Sequence, residues 1–445
     1  MFKGSTEIST TLNFSDVQND FTYTKIEEYV RHYKARLIKE ANLDKIIVLE
    51  PTERKQKIER LIHGMIEEER VIIPSFDIKR IIEEIINESV GYGPLEELLS
   101  DSSITEIMVN GPDDIHIERK GRLEKTSIRF KDEQHIRHII DRIIAPLGRR
   151  IDSSSPMVDA RLHDGSRVNA TIPPVSLDGP VISIRKFNAK PLGLDNLISY
   201  GSLVPDMGKF LQAAVQSKAN ILVSGGTGSG KTTLLNVLSN SIPVGERIIT
   251  IEDMAELRFQ YENMVRMEAR PPNMEGKGEI SIRHLVKNAL RMRPDRIIVG
   301  EVRGSEAIDM LQAMNTGHEG SLTTIHANSP KDAIGRLEAM VIMSGLPLTV
   351  DVIRGYFVGA LDLIVQTSRL ADGKRKIVSI AEVVEIEGSM QINEIFRFRR
   401  DGVNESGDVM GEFEATGYLP EIVQRFKSFG VSLPDSFFEQ RSLSC

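Results

Sequence analysis

A glycine-rich segment at residues 225–232 constrains this 445-residue chain more than any other feature. It matches the pattern G-x-x-x-x-G-K-[ST], with a short apolar run at 221–224 before it and a predicted helix at 232–238 after it. Glycine lets successive backbone N–H groups turn onto phosphate oxygens, where any Cβ would obstruct them. The segment therefore predicts a nucleotide phosphate loop between a strand and a helix of an α/β fold.

The residues of this loop form the predicted nucleotide site. The candidates for nucleotide binding are Gly225, Gly226, Thr227, Gly228, Ser229, Gly230, Lys231, Thr232 and Thr233. We expect Lys231 to reach the β- and γ-phosphates and the Thr232 hydroxyl to ligate Mg²⁺. The N-terminus of the following helix adds partial positive charge. Because the sequence lacks both the [NT]-K-x-D reader of guanine and the Leu-Ser-Gly-Gly-Gln signature of transporter cassettes, the expected cofactors are ATP and Mg²⁺.

Two predicted strands of the same region end in carboxylates. Residues 296–301 form an apolar run that ends at Glu301, with Gly300 where aspartate is usual, and residues 250–257 include Glu252. Neighbouring parallel strands bring their carboxyl ends to one crevice, which suits one acid beside the metal and one that orients or deprotonates water. For either cluster taken alone, a solvated strand end is the structural alternative.

A third element, residues 317–328, contains two histidines that bracket a short strand, His318 and His326. His326 falls where that strand would leave the sheet. A neutral imidazole N–H at this place could hydrogen-bond the γ-phosphate or the attacking water. The alternative is a histidine with a purely structural role.

Three further parts are predicted before the ATPase domain. A disordered N-terminus (1–20) and a helical bundle (21–90) precede an α+β domain (91–190) and the ATPase domain (195–445). The apolar stripes of the bundle favour plain packing, with docking of a partner as the alternative. Within the α+β domain we expect strands at 104–109 and 115–118, a turn at 120–121, a helix at 136–147, short strands across 159–187 and a linker at 190–193.

Composition limits what the chain can bind. A net charge of −8 and a pI of about 5.7 argue against a general duplex-DNA binder, which needs a basic surface for the phosphates. The single cysteine, Cys445, cannot form an internal disulfide or a Cys-based zinc site. With no signal-peptide h-region and no long apolar stretch, we expect a cytoplasmic protein whose membrane contact is peripheral and made through partners.

Four motifs in this order resemble the secretion superfamily ATPases of type II secretion, type IV secretion and type IV pili. Residues 225–232 match the Walker A motif of that superfamily, 249–257 its Asp box, 297–301 its Walker B strand and 317–328 its His box. The resemblance runs from about residue 91 to about residue 387. Residues 159–170 and 181–187 look most like the tight-adherence (Flp) pilus branch, also called CpaF-like, and the lone cysteine disfavours the zinc-bearing branches.

The resemblance implies a RecA-like P-loop ATPase core of the α/β class, preceded by an α+β (PAS-like) domain and an N-terminal helical bundle. It implies a homo-hexameric ring in which Arg161, Arg167 or Arg185 reaches the nucleotide of a neighbouring subunit, with ordinary ion pairs as the alternative for each. Within a subunit, Glu252 would polarise the attacking water, Glu301 would assist Thr232 in holding Mg²⁺, and His326 would sense the γ-phosphate.

The expected function is ATP hydrolysis that powers assembly of a type IV or Flp-type pilus or a secretion machine at the cytoplasmic membrane; the sequence leaves open whether it also powers retraction. The expected partner is a polytopic membrane platform protein, with no specific nucleic acid and no zinc. The alternatives are a RecA-like DNA translocase or helicase, a conjugation-type ATPase of type IV secretion, and a non-catalytic scaffold gated by ATP.

Overall fold

The computed structural model of the protein divides the chain into two compact units, residues 1–188 and 189–445. The division lies beside the predicted linker at 190–193, of which residues 190 and 191 are outside the described part of the chain. The structure describes residues 14–41, 46, 51–89, 91–119, 121–187, 192–257, 259, 261–272 and 277–443.

The first unit begins, in its described part, with three helices where the sequence predicts a helical bundle. They are α1 (Phe14–Glu40), α2 (Pro51–Glu69) and α3 (Ser75–Ser89). Residues three or four apart share a helix face, so the apolar stripes of the three helices can pack into one core. Its buried members include Ile26, Val30, Tyr33, Leu37, Ile58, Ile62, Ile81 and Ile85.

One prediction is wrong at the start of this region. Residues 14–20, predicted to be disordered, belong to α1, and residues 1–13 lie outside the described residues. Nucleating a helix is costly, whereas extending one is not. Once burial of Val30, Tyr33 and Leu37 fixes the later turns of α1, the helix can continue into the polar segment before them.

The first unit continues with an antiparallel sheet and two helices. Its strands lie in the order β3-β2-β1-β6-β5-β4, and each described neighbour pair is antiparallel. Alternate residues of the strands point into a core that the isoleucine face of α5 completes. The elements are α4 (Leu95–Ser100), β1 (Ile104–Val109), β2 (Ile115–Arg119), β3 (Arg122–Lys125), α5 (Glu133–Ile144), β4 (Met157–Arg161), β5 (Arg167–Thr171) and β6 (Val181–Arg185).

The bounds of α5 differ from the predicted helix at 136–147. The helix begins at Glu133 because the Asp132 side chain accepts a hydrogen bond from the His135 N–H at 2.7 Å, which caps its N-terminus. It ends at Ile144 and is followed by a single 3₁₀ turn, Ala145–Leu147. The predicted turn at 120–121 includes residue 120, which lies outside the described residues.

The second unit is built on a mixed sheet with helices on both faces. Its strand order is β16-β15-β14-β13-β12-β7-β11-β10-β8-β9, parallel from β12 to β9 and antiparallel from β12 to β16. The described elements are α6 (Leu194–Ser199), α7 (Pro205–Gln216), β7 (Ile221–Gly225), α8 (Lys231–Ser239), β8 (Ile248–Glu252), β9 (Met264–Glu268), α9 (Ile282–Ala289), β10 (Arg296–Val302), α10 (Glu306–Asn315), β11 (Leu322–Ile325), α11 (Pro330–Met343), α12 (Val350–Ala360), β12 (Leu363–Arg369), β13 (Arg375–Ile386), β14 (Ser389–Val403), β15 (Val409–Ala415), α13 (Val423–Ser428) and β16 (Arg441–Leu443).

The parallel part of this sheet is buried on both faces. In β7, Ile221 and Val223 belong to one hydrophobic core and Leu222 to the core on the other face. This double burial explains why the predicted strands at 221–224, 248–251 and 297–299 read as continuous apolar runs. The long antiparallel extension from β13 to β16 was not predicted, because no motif in the sequence marks its strands.

No helix in the described part of the chain is both long and apolar enough to span a bilayer.

Candidate nucleotide site

The phosphate loop joins β7 to α8 at the carboxyl end of the parallel strands. Gly228 and Gly230 have φ values of +68° and +98°, a left-handed backbone that glycine adopts without strain. A Cβ at Gly225 would collide with the hydroxyls of Ser229 and Thr367, which hydrogen-bond to each other at 2.8 Å. Gly225, Gly228 and Gly230 are therefore required by the local packing and backbone of the loop, apart from any phosphate ligand.

Lys231 lies at the first position of α8, with its ammonium group inside the loop. It is 8% exposed, and its Nζ donates a hydrogen bond to the Gly226 carbonyl at 3.1 Å. The same Nζ lies 3.2 Å from His326 Nε2. The structure thus brings together the loop lysine and the histidine that the sequence separates by 95 residues.

His326 connects the loop to the acid at the end of β10. Its Nε2 lies 3.2 Å from Glu301 Oε1. Burial lowers the pKa of His326 below its ordinary value, and the nearby Lys231 charge lowers that pKa further. The imidazole is therefore neutral at neutral pH, so one ring nitrogen can donate a hydrogen bond while the other accepts.

A β-bulge sets the direction of Glu301. The pairing of β10 with β11 shifts by one residue between Val299 and Val302, so that Gly300 and Glu301 occupy the irregular position. The Thr324 hydroxyl donates to the Gly300 carbonyl at 2.7 Å and holds the bulge. A bulge re-aims the side chain that follows it, which is a common way to place a functional group at a strand end.

Arg303 lies between two of the acidic residues at this site, and it was not predicted from the sequence. Its guanidinium donates to Glu301 Oε2 at 2.8 Å and lies 3.6 Å from an Asp253 carboxylate oxygen. It therefore joins the ends of β10 and β8, and its hydrogen bond to Glu301 raises the pKa of Arg303. The spacing of two residues after Glu301 was the available signal, but it cannot show that Asp253 lies on the other side.

Glu252, at the end of β8, is held by one carboxylate oxygen only. Oε1 accepts hydrogen bonds from the N–H groups of Glu256 and Leu257 at 2.8 and 2.9 Å. Oε2 is buried and has no hydrogen-bond partner among the described residues. Burial raises the pKa of Glu252 to about 7, so this carboxyl group can exchange a proton near neutral pH.

The donor set at this site fits a magnesium–nucleotide complex. Two buried carboxylate oxygens, Glu252 Oε2 and Glu301 Oε1, lack a hydrogen-bond partner within the described residues. Thr232 and Thr233 are half-buried on the first turn of α8, beside the loop. Magnesium takes oxygen ligands, is held by few protein groups and keeps its waters and phosphate oxygens.

Two residues from the β12–β13 hairpin support the loop from outside, and neither was predicted. Thr367 Oγ1 donates to the Ser224 carbonyl at 3.2 Å, and Arg375 Nε donates to the Gly228 carbonyl at 2.8 Å. Because β12 is next to β7 in the sheet, these contacts depend on strand order and could not be read from the sequence.

The three candidate interfacial arginines form one row in the sheet of the first unit. Arg161 pairs across the strands with Arg167, and Arg167 pairs with Arg185. Directly opposed residues of an antiparallel pair project on the same face, and like charges so placed repel one another. The row ends at Glu106, which is opposite Arg185 and lies 3.9 Å from its Nε.

The fold and this site define a class of protein. A phosphate loop on a RecA-like parallel sheet, with strand-end carboxylates and a neutral histidine around its lysine, is the arrangement of a P-loop ATPase. The chain belongs to the family described as "Type II/IV secretion system protein", whose model matches residues 88–405.

Individual relatives come from conjugation and type IV secretion. The chain is 37% identical over 310 residues to a Mycobacterium tuberculosis protein assigned provisionally to conjugal transfer, covering 68% of this chain and 88% of the relative. It is 33% identical over 294 residues to the conjugal transfer protein TrbB of Rhizobium radiobacter, covering 65% and 86%. A solved structure, the VirB11 ATPase from the Brucella suis type IV secretion system, is 30% identical with a TM-score of 0.35 and covers 64% of this chain and 94% of that one.

These findings show the family but not the branch predicted from the sequence. The named relatives are conjugal transfer proteins, which agree better with the conjugation-type alternative than with the tight-adherence pilus. The motifs quoted for the pilus branch lie in the first unit, outside the nucleotide site, so the geometry of that site does not separate the two.

Proposed function

We propose that this chain is the ATP-hydrolysing motor subunit of a conjugative or type IV secretion apparatus. The observation that carries the hydrolytic part is the contact series from Lys231 through His326 to Glu301, with Glu252 at the end of the neighbouring strand. The conjugal transfer relatives support the kind of apparatus.

In the proposed reaction, loop N–H groups and Lys231 bind the β- and γ-phosphates, which draws Lys231 Nζ away from the Gly226 carbonyl. Thr232 and Glu301 would hold Mg²⁺, which would supply positive charge to neutralise the phosphates. Glu252 Oε2 accepts a proton from the attacking water, since Oε1 is fixed by two backbone N–H groups. The water oxygen bonds to the γ-phosphorus as the bond to the β–γ bridging oxygen breaks, and that electron pair stays with ADP.

His326 is proposed to report the γ-phosphate. In the structure its ring faces the Lys231 ammonium at 3.2 Å. A neutral imidazole can donate to a γ-phosphate oxygen, and that bond is lost when the γ-phosphate leaves. His326 would then return to Lys231 and Glu301, which gives the site two arrangements that depend on the nucleotide.

We further propose that six copies form a ring at the cytoplasmic face of the membrane and act on a polytopic platform protein. The row of Arg161, Arg167 and Arg185 supports a trans contribution, because three opposed guanidinium groups favour an anion that they could share. A guanidinium supplied by a neighbour couples hydrolysis in one subunit to the position of the next.

A second candidate apparatus is the tight-adherence pilus, and one observation favours it. Helices α1 and α2 and nearly all of α3 precede the family match, which begins at residue 88. By contrast, 68% of this chain covers 88% of the Mycobacterium tuberculosis relative. An added helical module fits the longer pilus branch.

Measured turnover tests ATP hydrolysis, which both candidate apparatuses require. The full chain should hydrolyse ATP in a Mg²⁺-dependent manner, Lys231→Ala should abolish it, and duplex or single-stranded DNA should leave the rate unchanged. Strong stimulation by DNA would favour a translocase instead, and a wild-type protein without turnover would favour an ATP-gated scaffold.

The apparatus is tested in the source organism. A chromosomal Lys231→Ala change should abolish conjugative transfer or substrate secretion while leaving surface pili intact. Loss of pili with normal transfer would select the pilus candidate. Native mass spectrometry with a non-hydrolysable ATP analogue should give a particle of about six chain masses.

A further inference from the structure

A pocket of about 390 Å³ lies beside the nucleotide site in the second unit. At about 30 Å³ of liquid volume per water, it has room for a small hydrated anion. The end of β10, the residue after β11 and one face of α11 enclose it. Its lining consists of Glu301, Val302, Arg303, His326, Arg336 and Met340.

Two arginines and one carboxylate line the pocket. Its one carboxylate, Glu301, is already matched by Arg303 at 2.8 Å. Arg336 is exposed on α11, and its side chain makes no hydrogen bond or ion pair with another described residue. Of the acids on the same helix, Glu338 is paired with Arg354 at 2.7 Å, and Asp332 lies four residues before Arg336. Arg336 is therefore an arginine of the lining without a direct ion pair in the described structure.

The pocket begins one side chain away from the phosphate loop. His326 lines it, and the same imidazole lies 3.2 Å from Lys231 Nζ. His326 is therefore next to both the lysine that would hold the γ-phosphoryl group and the pocket.

We propose that this pocket binds the orthophosphate that ATP hydrolysis releases, with Arg336 and Arg303 as its ligands. The inference rests on the ATPase function proposed above. Each guanidinium presents parallel N–H donors that match phosphate oxygens. Because the loop continues to hold ADP, a separate place for orthophosphate lets the protein control the order in which the two products leave.

The first test measures binding and needs no turnover. Inorganic phosphate is titrated calorimetrically into the ADP-loaded full-length protein. We expect Arg336→Gln to weaken phosphate binding on the order of tenfold, with ADP affinity changed less than twofold. Lys331→Gln, the matched control, removes a positive charge from an exposed position on the same helix and should bind phosphate within twofold of wild type.

Three results would overturn the proposal: no phosphate binding by the wild type, no weakening in Arg336→Gln, or an equal weakening in Lys331→Gln. Arg336→Lys keeps the charge without the planar fork and should bind with intermediate affinity, which keeps the test valid if Arg336→Gln is unstable by thermal melting. A pocket filled by an acidic side chain of a neighbouring subunit would give the second result.

The second test follows product release. Single-turnover cleavage is measured by acid quench and orthophosphate release by a fluorescent phosphate sensor. We expect release to lag cleavage in the wild type and the lag to shorten in Arg336→Gln; an unchanged lag counts against the pocket. A protein that binds phosphate through Arg336 but cleaves no ATP would refute the proposed function and keep the pocket.

Discussion

Gly300 leaves the space that the Glu252 side chain occupies: a Cβ at position 300 would come within 2.9 Å of Glu252 Cγ. The unusual glycine before Glu301 is therefore a packing requirement of the neighbouring strand. β8 and β10 are adjacent and parallel, with Val299 opposite Ile251, so the residues that follow them meet. An aspartate at position 300 would compete with Glu252 for the same space.

Gly300→Ala should impair catalysis by displacing Glu252. We expect a loss of about 1–3 kcal/mol of stability from overpacking and a clear fall in kcat with little change in ATP affinity. Gly355→Ala on α12 is the matched control, because no described atom lies within 4 Å of its added Cβ; it should gain up to about 1 kcal/mol in helix stability. Urea unfolding and steady-state turnover measure both, and normal kcat in Gly300→Ala would contradict this account of Glu252.

Glu252→Gln should separate ATP binding from ATP hydrolysis. The variant keeps an oxygen for the Glu256 and Leu257 N–H groups but cannot accept a proton, so it should bind ATP without hydrolysing it. Turnover at the wild-type rate would remove Glu252 from the proton-accepting role. In the wild type, kcat/KM should rise with pH through about 7, the pKa to which burial raises this group.

The same substitution should raise the stability of the nucleotide-free protein at high pH. The folded-state pKa of Glu252, about 7, lies above the ordinary 4.5. The stability linked to the protonated form is present below pH 4.5 and lost as the pH rises through 7, a cost of about 3 kcal/mol. At pH 8, Glu252→Gln should therefore unfold at a higher urea concentration than the wild type. This difference in urea midpoint should become much smaller at pH 5. An equal difference at both pH values would contradict the raised pKa.

His326→Gln should lower kcat on the order of a hundredfold, because it removes an imidazole donor placed beside Lys231 Nζ. His318→Gln is the control from the same segment, and its kcat should stay within about threefold of wild type, since His318 lies at the other end of β11. Similar losses in both variants would indicate a general effect on the strand rather than a role at the nucleotide.

An arginine that acts in trans should show itself by complementation. Arg161→Ala, Arg167→Ala and Arg185→Ala are each mixed with Lys231→Ala, which supplies intact arginines but cannot hydrolyse ATP. Recovery of turnover in a mixture, with each protein inactive alone, identifies the trans residue. Arg167 is the central residue of the row, so we expect Arg167→Ala to cause the largest loss of turnover of the three variants. Absence of recovery in all three mixtures would exclude a trans finger.

Much of the nucleotide site could be predicted because its signals are local. A phosphate loop needs glycines and a lysine at fixed spacing, and the doubly buried strands before Glu252 and Glu301 read as apolar runs. The contacts of Arg303, Thr367 and Arg375 could not be predicted, since each depends on which strands are neighbours. The helical start of α1 was missed for a related reason: its first turns continue a helix that later residues stabilise by burial.

The sequence by itself determined the family and the candidate groups of the site: a phosphate loop, two strand-end acids and a histidine in the order of one ATPase family. Only the tertiary structure decided how those groups meet. Strand order in the parallel sheet places Lys231, His326 and Glu301 in contact, and the absence of a Cβ at Gly300 makes room for Glu252. Register in the other sheet aligns three arginines that the sequence could not choose between. The physical reason is that backbone preference and burial patterns are local, whereas neighbouring strands are selected by packing of the whole core.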